Sequence, residues 1–225
     1  MADEHTSLLR IDIISDVMCP WCIVGYKQLE HALGSLEISA GVAWHPFELN
    51  PNMPAEGQDL REHMAEKYGS SPEDSEKNRA NLIQLGKQLG IEFNYSDNSR
   101  MWNTFLAHQL LYWAQTKEKQ HLLKMELFSA HFTRGLNLGD TDVLVSAASA
   151  VGLDKNEALA VLTDGRYAQN IRQEQQFWAQ KGIQGVPAMI FNQRHLVTGA
   201  QGVENYVSIL KQLTSAPESQ EDVKA

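Results

Sequence analysis

The chain has two cysteines, and they stand together as Cys19-Pro20-Trp21-Cys22. Two thiols separated by two residues can do what a lone thiol cannot. One thiolate attacks a disulfide, and the second sulfur lies within reach of the resulting mixed disulfide and resolves it. In that chemistry Cys19 attacks and Cys22 resolves. Pro20 suits the first position of a helix, where a missing N–H costs nothing and the fixed φ is already helical. Trp21 offers a flat apolar surface beside the sulfur. The competing use of such a pair is half of a zinc site, but no second cysteine pair exists, and only histidines could complete it.

Two elements must position these thiols. Upstream, Leu8 to Ile14 is short, apolar and rich in branched residues, and Ser15-Asp16 closes it, the pattern of a buried strand. Downstream, Tyr26, Leu29, Leu33 and Leu36 recur at steps of three and four, with Lys27, Glu30 and His31 on the other side, the pattern of a helix. At this junction the first sulfur meets the unpaired N–H groups of the helix start. The expectation is a lowered pKa for Cys19 and none for Cys22.

A second strand is expected within Ser39 to Leu49, with Pro46 marking a sheet edge or a strand end. His45 and Glu48 in this stretch are titratable, but a strand histidine or a solvated glutamate is more often structural, and neither enters the catalytic set. From Pro51 to about Lys181 strand signals vanish and helix starts and stops alternate. Asp59 with Glu62, Ser71 with Pro72, Asp140 or Thr141, and Asp154 with Glu157 open helices, and Gly69, Gly90, Gly135 and Gly182 close them. Trp102 is expected in the helix of Phe105 to Trp113, and one helix runs from Leu122 to Phe132. Asn103 and His108 are candidate contacts of a groove over the cysteines. His121 and His131 are ten residues apart, not the four that seats two ligands on one helix face, so no metal site is assigned.

Strand signals return at Val186 to Phe191 and His195 to Thr198, with Asn192-Gln193 as a turn, and a last helix carries Tyr206, Leu210 and Leu213. The division expected is residues 1–55 with 182–215 as one discontinuous domain, 56–181 as an inserted all-helical domain, and 216–225 as a polar tail.

The formal net charge of −9, without clustered lysine and arginine, argues against nucleic acid and anionic membranes as partners. The polar start, Met1 to Ser7, lacks the basic and apolar regions of a secretory signal, and the expected location is cytoplasmic.

With this element order, the sequence resembles the thioredoxin superfamily, and within it the DsbA-like group named after FrnE. The stretches that carry the resemblance are Ser15 to Cys22, Trp44 to Pro51, Gly185-Val186-Pro187 and Thr198 to Gln201. It implies an α/β thioredoxin fold with a helical insertion, Cys19 as nucleophile, Cys22 as resolving thiol and Pro187 as a cis-proline facing them. Val186 would present its backbone to a substrate peptide, strand to strand, with Pro20 and Trp21 beside it. The implied activity is thiol-disulfide exchange on protein or peptide disulfides. No cofactor is expected beyond the cysteine pair, with glutathione as a candidate reductant or co-substrate. The same branch holds the kappa-class glutathione transferases and hydroxychromene carboxylate isomerases, which typically carry serine where this chain has Cys19. A glutathione-dependent isomerase or transferase is therefore the alternative, and the paired cysteines favour exchange.

Overall fold

The structure, a computed structural model, describes residues 8–215; the expected tail at 216–225 lies outside them. The first strand, β1 (Leu9–Ser15), is buried along its length except at Arg10. Its neighbours are a parallel strand, β2 (Ala40–Pro46), reached through helix α1 (Pro20–Ser35), and an antiparallel strand from near the end of the chain. Ile11 and Ile13 face one core with Leu29 of α1, while Ile14 faces a second, smaller core on the opposite side. Leu9, Ile11 and Ile13 alternate with Arg10 and Asp12, and on the second face Ile14 is joined by a buried Asp12 held by Arg10 and His45. Each of these isoleucines contributes about 1.5 to 3 kcal/mol by burial.

The region after β2 is helical but not wholly so. A two-residue ladder joins β3 (Gln58–Asp59) to β4 (Arg100–Met101), too short for any alternation to announce it. Between them run α2 (Leu60–Tyr68) and α3 (Pro72–Gln88). The Asp59 carboxylate accepts from Arg61 N–H and Glu62 N–H, and Ser71 Oγ accepts from Asp74 N–H, as the capping patterns predict.

Then come α4 (Phe105–Gln115), α5 (Gln120–Phe128), α6 (Thr141–Ala150), α7 (Lys155–Asp164) and α8 (Ala168–Gln180). Trp102 lies outside α4 rather than within it. The Asn103 carboxamide accepts from Phe105 N–H at 2.9 Å and sets the helix start after the tryptophan. The expected single helix from Leu122 to Phe132 is also corrected. After Phe128 it widens into one turn of π-helix, Ser129–Thr133, and Leu122 points to solvent.

The chain returns to the sheet as β5 (Ala188–Phe191) and β6 (His195–Thr198), then closes with α9 (Val203–Ser215). Strand order is β2-β1-β5-β6, with β5 antiparallel to both neighbours. This is a mixed α/β thioredoxin-like fold with an inserted helical region. Asn192 and Gln193 take positive φ in the hairpin loop. β2 is an edge strand and Pro46 its last residue, so the proline fits on both counts. No helix of the described residues is long and apolar enough to cross a membrane.

Candidate active site

Cys19 occupies the N-cap of α1, Pro20 the first helical position, and Cys22 the first turn, where its N–H meets the Cys19 carbonyl at 3.1 Å. Both cysteines are free thiols. They differ in access. Cys22 is fully enclosed, whereas Cys19, 4% exposed, lines a cavity of about 760 Å³ together with Pro20, Trp21 and Val186. Trp21 stands half-exposed at its rim. The Val186–Pro187 bond is cis, and Cys19 Sγ donates to the Val186 carbonyl at 3.8 Å. A methyl on Gly25 would stand 3.3 Å from Pro187 Cγ and 3.4 Å from Met189 Cε, so the absent side chain lets α1 approach the proline loop. The six residues singled out in the sequence, Cys19, Pro20, Trp21, Cys22, Val186 and Pro187, are thus brought together.

The charge balance of the two sulfurs is not the one expected. Cys19 is raised well above the ordinary thiol range, because the Cys22 sulfur beside it and its own burial both disfavour a charge there. Burial also pushes Cys22 up, but the hydrogen bond from Cys19 and the charge of Lys124 outweigh it, and Cys22 falls below the ordinary value. The helix start is only one of several fields. At Cys19 the backbone N–H of Cys22 favours the thiolate, while the Val186 carbonyl can only accept a proton from a thiol, and the Asp16 carboxylate opposes negative charge. The expectation of a lowered Cys19 and an unaltered Cys22 is therefore corrected. Charge on the pair is opposed at Cys19 and favoured at Cys22.

Three residues behind the sulfurs were not singled out in advance for this role. Lys124 on α5 is 1% exposed, its ammonium 5.2 Å from the Trp44 ring centroid and 5.1 Å from that of Phe128. Burial lowers it to about 8 against the opposing pull of Cys22 and Asp16. Asp16 is buried, and its carboxylate accepts from Leu49 N–H at 2.7 Å and Met18 N–H at 3.2 Å. Burial pushes Asp16 up, but nearby His108 and these N–H groups bring it below its ordinary value. Tyr95, lining the cavity, is pushed up by burial and by Cys19. A buried lysine on an amphipathic helix carries no sequence signal of its own.

Other candidates lie elsewhere. Asn103 and His108 do not line the cavity. Asn103 ties its loop to the Met53 carbonyl at 2.9 Å, and His108 sits in the interior with Nε2 3.7 Å from Asp16 Oδ1. His45 lies between Asp12, at 2.9 Å, and Glu174, at 2.5 Å. Glu48 pairs through Oε2 with Arg172 and with Gln175 at 3.1 Å. His121 accepts from Trp44 Nε1–H at 3.1 Å. Among the described residues no group of three His, Cys, Asp or Glu is placed to hold a metal ion.

A family model described as DSBA-like thioredoxin domain matches residues 10–211. The uncharacterized protein YwbO of Bacillus subtilis is 28% identical over 195 residues, 86% of this chain and 92% of that protein. Among solved structures, the probable DsbA oxidoreductase SCO1869 from Streptomyces coelicolor is 30% identical with a TM-score of 0.85, over 96% of this chain and 95% of that one. The cytosolic disulfide reductase DsbM from Pseudomonas aeruginosa is similar in fold, at 16% identity and a TM-score of 0.61, over 92% of this chain and all of that one.

Proposed function

Because the chain belongs to the DsbA-like thioredoxin-domain family, we propose that it is a thiol-disulfide oxidoreductase of the reductase or isomerase kind, close to the FrnE group, with Cys19 as nucleophile and Cys22 as resolving thiol. The observation that carries this reading is the asymmetry of access: Cys19 lines the cavity beside the Val186 carbonyl, while Cys22 is sealed behind it. Protein, peptide and small-molecule disulfides are the substrate classes.

The reaction starts from the pair with one proton removed and the charge on Cys22. Cys19 Sγ attacks one sulfur of the bound disulfide as its proton passes to Cys22, and the first product leaves as a thiolate. Cys22 then gives that proton to the first product's thiolate, attacks Cys19 Sγ and displaces the second product, which takes a proton from solvent. Two electrons move from the dithiol to the substrate, and two thiols are released. Lys124 lowers the cost of charge on Cys22 at both steps. Pro20, Trp21, Val186 and Pro187 form the surface on which the substrate lies. A reductant must then restore the dithiol, and glutathione fits that role.

The proposal includes a cytoplasmic setting. At a glutathione poise of about −220 to −260 mV, a pair with a higher potential rests as the dithiol and turns to the disulfide only under oxidative stress. The isomerase or transferase alternative needs one glutathione-activating group and has no use for Cys22 as a second thiol.

Equilibration of the purified protein in glutathione redox buffers, with thiol labelling of Cys19 and Cys22, tests the reading. Reversible oxidation of the pair is expected, with Cys22→Ser trapping a mixed disulfide on Cys19 and Cys19→Ser trapping none. Tight glutathione binding with no reversible oxidation would transfer the assignment to the isomerase class.

A further inference from the structure

We propose that the cavity facing Cys19 is selective for small disulfides that carry carboxylates, with Arg79 as the residue that recognises them; this rests on the exchange reading above. The chain as a whole is acidic, at a net charge of −9. The wall of this cavity has the opposite character. Among the described residues it holds four arginines, Arg61, Arg79, Arg100 and Arg134, and no aspartate or glutamate.

Two of the four are neutralised by acids outside the wall, Arg61 by Asp97 and Arg134 by Glu126. The other two are not. Arg100 donates to the carbonyls of Glu56 and Gly57 and lies over the Trp102 ring, contacts that fix the guanidinium but leave its charge without an anion. Arg79, half-buried on α3, makes no hydrogen bond and no ion pair among the described residues. A cation partly removed from water without a counter-charge is costly, and a carboxylate at the same place offsets that cost with charge-assisted, often bidentate, hydrogen bonds.

Beneath the same wall, two ring nitrogens are unpaired among the described residues. His63, 6% exposed, lines the cavity with Nδ1 on Gln58 and with Nε2 buried and unpartnered. His131, on the π-helical turn of the same wall, leaves Nδ1 buried and unpartnered. Buried polar atoms are nearly always paired, and π-helical turns cluster at functional sites. Two arginines without an anion among the described residues, on the wall that holds Cys19, are matched by an anionic occupant.

The size agrees. About 760 Å³ lies inside the range of roughly 300 to 1,000 Å³ typical of small-molecule sites. The Tyr95 phenol, pushed up by burial and by Cys19 and drawn down by Arg79, lies near both, so the recognising cation and the reacting sulfur share one neighbourhood. In the reaction, Cys19 bonds to one sulfur of the bound disulfide and the first carboxylate-bearing half leaves as a thiolate. Cys22 displaces the second half, two electrons having passed from the dithiol. Two equivalents of a low-molecular-weight thiol restore the dithiol and become its disulfide.

The test is single-turnover oxidation of the reduced protein by oxidised glutathione, which bears carboxylates, and by bis(2-hydroxyethyl) disulfide, which is neutral, read by thiol labelling. The quantity compared is the ratio of the two second-order rate constants. Arg79→Gln is expected to lower that ratio about tenfold, which corresponds to about 1.4 kcal/mol of discrimination. Arg79→Lys should restore most of it, and added salt should lower the wild-type ratio. A ratio unchanged in Arg79→Gln would overturn the assignment of Arg79 while leaving disulfide exchange intact. Oxidation by neither disulfide would overturn the exchange reading itself.

Discussion

The helical region meets the sheet along two seams that treat polar groups in opposite ways. At the free edge of β2, charged groups far apart in sequence pair with one another, although Glu48 Oε1 and Trp178 Nε1 stay buried without a partner among the described residues. The Gln120 carboxamide accepts from Trp44 N–H at 3.0 Å and donates to Trp44 C=O at 2.8 Å, acting as a short piece of strand on an edge that would otherwise be open. His45 joins Asp12 to Glu174, and Glu48 joins Arg172. At the Cys19 cavity, Arg79 and Arg100 have no acidic partner among the described residues. The first seam is cohesive, and the second is built to meet something else. Predictions that separate them pair a loss of stability at one with a loss of recognition at the other.

The largest effect is expected at the closed seam. Gln120→Leu removes both partners of Trp44 at a buried edge, and each orphaned backbone group costs about 1 to 3 kcal/mol. Urea unfolding should show a loss of about 2 to 5 kcal/mol. A loss below about 1 kcal/mol would mean that the edge does not depend on this side chain.

His45→Gln should cost about 1.5 to 3 kcal/mol, the worth of hydrogen bonds to charged groups, and the cost should depend on pH. Burial pulls the imidazole down, but Glu174 and Asp12 outweigh it and raise it above 6.5. A group raised in the folded state contributes fully below its unfolded value and loses that contribution as pH rises through the folded one. Burial pushes Asp12 up, but Arg10 and His45 bring it below 3.8, so its share is present above that value and lost as pH falls through the lowered one. The difference between wild type and His45→Gln should therefore be greatest between about pH 4 and 6.5 and decline on either side. A flat difference across pH 5 to 9 would show that His45 acts by packing alone.

Lys124→Met should raise the apparent pKa of the cysteine pair by about one unit, so that alkylation at neutral pH slows about tenfold. Stability should hold or rise, since an apolar chain of similar volume replaces a buried charge. The rate profile of the wild type should also bend near pH 8 as Lys124 loses its proton, and the variant should lack that bend. Identical profiles would remove Lys124 from the chemistry.

These side chains mark the boundary of what the sequence could reveal. The Asp59, Ser71, Asp140 and Asp154 caps were readable because a cap is made with N–H groups two or three residues away. The cysteine pair was readable because its chemistry is set by a spacing. The His45–Glu174 contact joins residues 129 apart, and Lys124 reaches the thiols from a helix a hundred residues downstream. No local pattern encodes either. The pKa expectation for Cys19 went wrong because it used the helix start alone and left out the neighbouring Cys22 thiol, burial and the Asp16 carboxylate, which together outweigh it. Arg79 has no sequence signal of its own; its place in the wall that holds Cys19 follows from how α3 lies against the rest of the fold, with Gly86 letting Phe93 pack close to that helix.

The smallest expected effect bears hardest on the comparison. Arg79→Gln should change unfolding free energy by no more than about 0.5 kcal/mol, the range for a surface substitution that breaks no buried pair. Arg79 makes no hydrogen bond or ion pair among the described residues, so its removal orphans no partner. Relief of a partly buried, unmatched charge would tip the change toward a gain. Chemical unfolding of wild type and Arg79→Gln under matched salt measures it. A loss of 2 kcal/mol would show that this arginine holds the fold, as Gln120 and His45 do, and that the second seam is as cohesive as the first. A change near zero, beside a large loss in Gln120→Leu, is what a seam kept open for a ligand requires.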